Sequence, residues 1–289
     1  MDHPSDRVGE ALSRQLLVLV DPAARRSDGE SVRIAKDVLS AGATAKVCLP
    51  EGPEEFARAL ARRGARRPVV VGDDRALLRA VSLLHREREL GGAVLSLVPV
   101  GSAVGLAHAL GVPSGPVAAA RAALDGTERR LDLLVDDSDG VVLGELHIPP
   151  VGPSSALSGA GGSARPFLRT CRSLVRGLGG RGAARADGEP GAAAGGAAAR
   201  LRIEADGVTL ADLDEPVDAV SLGAGDGLAR VEVRFGAGGG ARREAVRVGA
   251  RSVTVSGADF RYRADAVVSG PVRRRTWVVR AGAWSLALP

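Results

Sequence analysis

Short apolar runs and amphipathic stretches alternate between Leu16 and Leu124. Leu16 to Val20 is continuously apolar, as in a strand buried on both faces. Gly29 to Ala41 puts Ile34, Val38 and Ala41 on one helical face and stops at Gly42. Ala45 to Leu49 reads as a second strand, closed by Pro50. Glu54 to Arg63 reads as a helix with its acids first, its arginines last and Gly64 after it, which suits the helix dipole. Pro68 to Val71 and Ala93 to Val98 are further strands, and Ala76 to Arg86, Ala103 to Leu110 and Val117 to Leu124 further helices. This alternation predicts a parallel sheet with helices on both faces, which binds ligands at the carboxyl ends of its strands. Three turns lie there: Asp21-Pro22, Gly72 to Arg75, and Pro99 to Ala103.

The pattern changes after Leu131. LDLLVDD and GVVLGELHI flank DSDG, a hairpin signature. Arg165 to Leu178 reads as a helix and Gly179 to Ala199 as a flexible glycine–alanine loop. From Arg200 onward come RLRIEA, AVSL, RVEVRF, SVTVSG, FRYRAD, TWVVRA and SLALP, separated by turn signals, which predict an all-β sandwich. The expected division is therefore 1–131 (α/β) and 132–289 (β-sandwich), with the last residues returning to the first domain.

Composition adds limits. The 289 residues are 45% hydrophobic and 25% charged, ordinary for a soluble protein with a sizeable core. The 2% aromatic content leaves alanine, valine and leucine to build that core. A net charge of +5 admits an anionic partner, but a solvated basic surface explains it equally. Arg62, Arg63, Arg66 and Arg67 cluster near a helix end, with solvated surface and contact with anionic lipid as the two readings. Without interleaved aromatics, nucleic acid is not the expected partner. Cys48 and Cys171 are too few and too far apart for a metal cage. His3, His85, His108 and His147 lack ligand spacing, and Asp136, Asp137 and Asp139 fit a hairpin tip better than a calcium loop. The polar start MDHPSDRVGE is no signal peptide, and no apolar run reaches the length of a membrane span. A cytoplasmic protein is expected.

The turn after the third strand, VVVGDDRALL (Val69 to Leu78), sets two carboxylates and an arginine where a phosphate-binding turn wants bare backbone. The order of turns around it resembles the diacylglycerol kinase catalytic family, which includes bacterial lipid kinases and sphingosine kinases and is distantly related to NAD kinases. LVLVDPAAR resembles the family's strand and Asn-Pro, with Asp21 for asparagine and Pro22 kept. Gly72 and Asp73 match the nucleotide signature Gly-Gly-Asp-Gly-Thr, whereas Val71, Asp74 and Arg75 depart from it. PVGSAVGLAHALGVP is similar to Pro-Leu-Gly-Thr-Gly-Asn-Asp-Phe-Ala-Arg-x-Leu-Gly: Pro99, Gly101, Ala107, Leu110 and Gly111 match, Ser102 is conservative, and Val104 and Gly105 replace Asn-Asp. FRYRADAVVSGP resembles the strand bearing Asp-Gly-Glu, keeping Asp265 but with Ala266 and Val267 for the glycine and glutamate. Asp187-Gly188-Glu189 spells the triplet by chance, in the glycine–alanine loop.

The resemblance implies a Rossmann-like α/β domain of the NAD kinase/diacylglycerol kinase type, then a β-sandwich. It implies an ATP- and magnesium-dependent kinase acting on a lipid hydroxyl such as that of diacylglycerol, at the inner membrane face. Asp73 and Asp265 would be the catalytic residues. Asp21, Pro22, Gly72, Asp74, Arg75, Gly101 and Ser102 would hold the nucleotide, with no metal ligands assigned. A homodimer stays open. Two simpler readings stand beside this one. Asp73 and Asp74 are a solvated turn capping the next helix, and Ser102 is an N-cap. The losses at three motifs also fit an inactive pseudokinase of the same fold, binding a nucleotide, a lipid or a protein.

Overall fold

The computed structural model describes residues 15–150, 199–236 and 244–289. Strands β1 (Gln15–Val20), β2 (Thr44–Cys48), β3 (Arg67–Gly72) and β4 (Val94–Pro99) pair in parallel in the order β2-β1-β3-β4. Central β1, β3 and β4 are buried in all but their first residue or two, which is why they read as unbroken apolar runs. Helices α1 (Pro22–Ser27), α2 (Gly29–Gly42), α3 (Pro53–Ala61), α4 (Asp74–Arg86), α5 (Gly105–Ala109) and α6 (Pro116–Asp125) connect them. Each longer helix buries an apolar stripe: Val32, Ala35 and Leu39 on α2, and Leu77, Ala80, Val81 and Leu84 on α4.

Two elements differ from expectation. The Asp21-Pro22 turn leads directly into a helix of its own, Pro22–Ser27, capped by the Asp21 carboxylate accepting from Ala23 N. The helix expected over Ala103–Leu110 shrinks to the five residues of α5, because Ser102 to Val104 continue the turn out of β4.

The β-rich half comprises β5 (Thr127–Asp136), β6 (Val141–Val142), β7 (Glu145–Ile148), β8 (Ala199–Ala205), β9 (Val208–Ala211), β10 (Pro216–Gly225), β11 (Leu228–Phe235), β12 (Val246–Ala250), β13 (Ser252–Ala264) and β14 (Val267–Leu288). The DSDG hairpin forms, pairing β5 with β6. The expected pairs SVTVSG/FRYRAD and TWVVRA/SLALP do not separate. Each pair is one long strand, β13 and β14, interrupted by a register shift at Ser256–Tyr262 and at Arg280–Trp284. β7 and β8 each pair with both β10 and β13, so the pairings close on themselves around a second core.

β14 joins the two halves. Its first part pairs with β13; its last part runs antiparallel to β5 and, at Ser285 and Leu286, parallel to β4. Trp277 is fully buried in the β-rich core and Trp284 in the α/β core, so one strand anchors both. The expected helix over Arg165–Leu178, the Gly179–Ala199 loop up to its last residue, Cys171 and Asp187-Gly188-Glu189 lie outside the described residues. Among the described residues no helix is long and apolar enough to cross a membrane.

Candidate functional site

Asp21 ends β1 and is fixed by its own chemistry. Its N–H donates to Val71 O at 2.9 Å, locking the turn to β3. Its carboxylate is buried, accepts from Ala23 N, and pairs with Arg79 Nη1 at 2.7 Å. Arg79 in turn lies over the Phe56 ring, 5.6 Å from its centroid. The aspartate thus comes with a cation of its own. Pro22 occupies the first helical turn, where its missing N–H costs nothing.

β3 ends at Gly72, where no side chain fits: a Cβ there would lie 2.7 Å from Ala76 Cβ and 3.0 Å from Asp21 Cβ. Asp73 follows as N-cap of α4, its Oδ1 accepting from Arg75 N at 3.1 Å and Ala76 N at 3.2 Å. Asp74 does not face the turn beside a polyanion. It is buried, and its two oxygens accept from Leu106 N (2.8 Å) and Ala107 N (3.0 Å) in the first turn of α5. Its own N–H donates to Ala103 O at 2.8 Å. α5 has no side-chain cap from Val104 or Ser102, so a carboxylate from another helix supplies it. Burial pushes the Asp74 carboxyl above its usual range, opposed by those two amides. Arg75 is exposed and makes no ion pair with Asp74.

The β4 turn closes over this one. Val100 N donates to Gly72 O at 3.0 Å. Gly101 has φ +127°, a conformation that glycine alone adopts readily, and a Cβ there would sit 3.3 Å from Asp73 Cβ. Ser102 is exposed.

Asp265, far along the sequence, joins the same place. It sits at φ +47° between β13 and β14. Its Oδ2 accepts from Leu143 N at 2.8 Å and its Oδ1 from Gly144 N at 2.7 Å. A Cβ on Gly144 would lie 2.9 Å from Leu106 Cδ1 and 3.0 Å from Asp265 Oδ1, so the Asp265 turn packs through Gly144 on the very helix that Asp74 caps. Burial pushes the Asp265 carboxyl up to about 6, and the Asp74 charge adds to the rise. Asp73, Asp74, Gly101 and Asp265 are therefore neighbours. Beside them a groove of about 470 Å³ runs from Gly144 and Glu145 past Leu222, Arg230, Val231 and Val248. The residue in the family's glutamate position, Val267, is exposed, as is Val268.

The donor set fits magnesium poorly. Magnesium takes carboxylate oxygens in tight octahedral geometry. Both oxygens of Asp74 and of Asp265 are engaged by backbone amides. Among the described residues no group of three or more potential ligands could hold a metal. ATP fares little better: the turn keeps Gly72 and Gly101, but Arg79 is held by Asp21, and Arg75 is exposed at the start of α4. Sequence reasoning missed Arg79, Gly144 and the α5 amides. Arg79 alone left a signal, one helical turn beyond Arg75 on α4.

The other candidates have structural roles. Asp136 Oδ1 accepts from Ser138 N and Gly140 N in the hairpin tip, and His85 reaches Asp139 at 2.9 Å. Cys48 is a half-buried free thiol.

Comparison with known proteins agrees with the fold. Residues 15–135 match the model of the diacylglycerol kinase catalytic domain. No curated protein matches the chain. Two structures from Bacillus anthracis str. Sterne, each described as a putative diacylglycerol kinase, superpose with TM-scores of 0.68 and 0.67. Each is 13% identical and covers 96% of this chain, and the match spans 97% and 98% of theirs. A diacylglycerol kinase structure from the same organism gives 0.64 at 14% identity, over 96% of this chain and 97% of that one. At such identities the likeness is one of fold. With the family match across β1 to β5 and the turns at Gly72 and Gly101, residues 15–135 are similar to the diacylglycerol kinase catalytic domain, with nucleotide motifs that depart from the family's.

Proposed function

We propose that this chain is a lipid-binding protein on a lipid-kinase scaffold that no longer transfers phosphate. The observation that carries this reading is Asp74, whose two oxygens are spent on the amides of Leu106 and Ala107. A carboxylate committed to the start of another helix holds the fold there and is not directed at a nucleotide or its metal. Asp73 serves as a helix cap, and Val267, in place of the family's glutamate, cannot act as an acid, base or metal ligand. The lipid side of the scaffold is better kept. Val267 and Val268 are exposed, at 44% and 45%, two and three residues beyond Asp265. The adjoining groove sets Val248 among Glu145, Arg230, Glu232 and Arg247, a charged lining suited to the polar end of an amphiphile. Co-sedimentation with diacylglycerol-containing vesicles, run beside a radiolabelled ATP transfer assay, tests the reading. Vesicle binding without labelled lipid is expected. Labelled lipid in the wild type that disappears in Asp73→Ala overturns it.

One observation favours an active kinase instead. A carboxyl with a pKa of about 6, as for Asp265, is poised for proton transfer near neutral pH. In that reading Asp265 takes the lipid hydroxyl's proton and Asp73 faces the nucleotide. Transfer abolished by Asp265→Asn with the fold intact would support it.

A further inference from the structure

The arginine cluster of residues 62–67 is not accounted for by the cleft. It lies at the opposite end of the parallel sheet. Arg67 opens β3 and Gly72 closes it, so the two sites are about 17 Å apart at roughly 3.3 Å per residue. At that end a groove of about 420 Å³ is lined by Arg63, Arg66, Arg67, the backbone of Gly64, Gly92 and Gly126, and Glu128.

We propose that this groove is a second binding site, for a phosphate-bearing anion. Its three guanidiniums are held in place by the fold. Arg63, with 13% of its side chain exposed, is paired with Glu89. Arg67 is anchored by donation to the carbonyls of Ala123 and Leu124 at the end of α6. Its Nε is buried without a hydrogen-bond partner, and desolvation lowers its pKa, so this cation lacks a full set of acceptors. Arg66 donates to Arg63 O at 3.3 Å. Among the described residues neither Arg66 nor Arg67 has a carboxylate within ion-pair distance. The acid lining the groove, Glu128, already accepts from Ser285 Oγ at 2.6 Å. Gly64 and Gly92 leave open space on the groove wall, with nothing within 4 Å of where a side chain would stand, so a ligand can approach the backbone there. Clustered guanidiniums in a groove suit the bidentate recognition of a phosphate oxygen pair. The volume admits a group the size of a phosphorylated glycerol or a lipid headgroup. The proposal does not depend on what the cleft does.

Calorimetric titration of the full chain with inorganic phosphate and with glycerol 3-phosphate, against chloride of equal ionic strength, tests it. Co-sedimentation with phosphatidylglycerol vesicles completes the set. Saturable binding of at least one probe is expected, weakened about tenfold or more in Arg66→Glu, in line with loss of a charge-assisted hydrogen bond. It should be retained in Asp73→Ala and in Arg274→Glu, which removes an exposed arginine elsewhere. Arg66→Ala, a milder change, should weaken binding in the same direction. Binding of the soluble probes identifies a free phosphate compound as the ligand, and binding of vesicles alone identifies a headgroup. Absence of saturable binding with all three probes, binding unchanged in Arg66→Glu, or equal loss in Arg274→Glu overturns the proposal.

Discussion

The two ends of the parallel sheet carry opposite chemistry. At the carboxyl end stand Asp21, Asp73 and Asp74, each committed to backbone amides or to Arg79. At the amino end stand Arg63, Arg66 and Arg67 around a groove with a single acid. A working phosphoryl-transfer site places its spare cationic donors where the strands end and its helices begin. Here the aspartates at that end are satisfied by amides and by Arg79, and at the other end Arg66 and Arg67 have no carboxylate within ion-pair distance among the described residues. The difference teaches that a family's turn can keep its backbone path while its charges turn to holding the fold together.

The sharpest way to break this comparison is to remove the carboxylate that caps α5. Asp74→Ala strips acceptors from two N–H groups, and a loss of about 3 kcal/mol is expected from the usual worth of hydrogen bonds to a charged group. Urea denaturation measures it. A loss within experimental error would mean that Asp74 is free for ligand chemistry. Arg79→Ala should cost less, about 2 kcal/mol, because it leaves the buried Asp21 carboxylate with the Ala23 amide. A double-mutant cycle of Asp21→Ala with Arg79→Ala isolates their coupling, and additivity would dissolve the pair as a unit.

Asp265 sharpens the picture through pH. Its carboxyl is raised from 3.8 to about 6 in the folded chain, so the folded state binds more protons across that window. Stability from this group is complete below the unfolded value and is lost as pH rises through about 6. Between pH 5 and 7.5 the loss amounts to about 1 kcal/mol. The slope should vanish in Asp265→Asn, since asparagine tolerates the positive φ. A wild type whose stability rises across that interval, with Asp265→Asn flat, would reverse the assignment. The smallest expected effect is that of Val267→Glu. Restoring a carboxylate at an exposed position should leave stability within about 0.5 kcal/mol and phosphoryl transfer undetectable, because the Asp74 turn is unchanged. Labelled lipid product from this variant would show that the missing glutamate was the sole defect.

What the sequence made legible follows the range of each interaction. β1, β3 and β4 were readable because a strand buried on both faces is apolar at nearly every position. The Gly72 and Gly101 turns were readable because close approach and positive φ leave a glycine in the sequence. Asp73 as a cap was one of two readings, and the local bonds to Arg75 and Ala76 agree with it. The bonds of Asp74 to α5 were not legible because its partners lie 32 and 33 residues away, and nothing near Asp74 announces the helix start at Gly105. The pairing of Asp21 with Arg79 was not legible because the two are 58 residues apart. β13 and β14 were cut in two because the register shifts at Ser256–Tyr262 and Arg280–Trp284 contain the small residues that elsewhere mark turns.

The central claim is that the carboxylates of the nucleotide turn now hold the fold and no longer serve ATP. Calorimetric titration of the purified chain with ATP, with and without magnesium, tests it most directly. The account predicts no magnesium-dependent heat at millimolar ATP, with Asp73→Ala indistinguishable from the wild type. Saturable binding that requires magnesium and is lost in Asp73→Ala would contradict it.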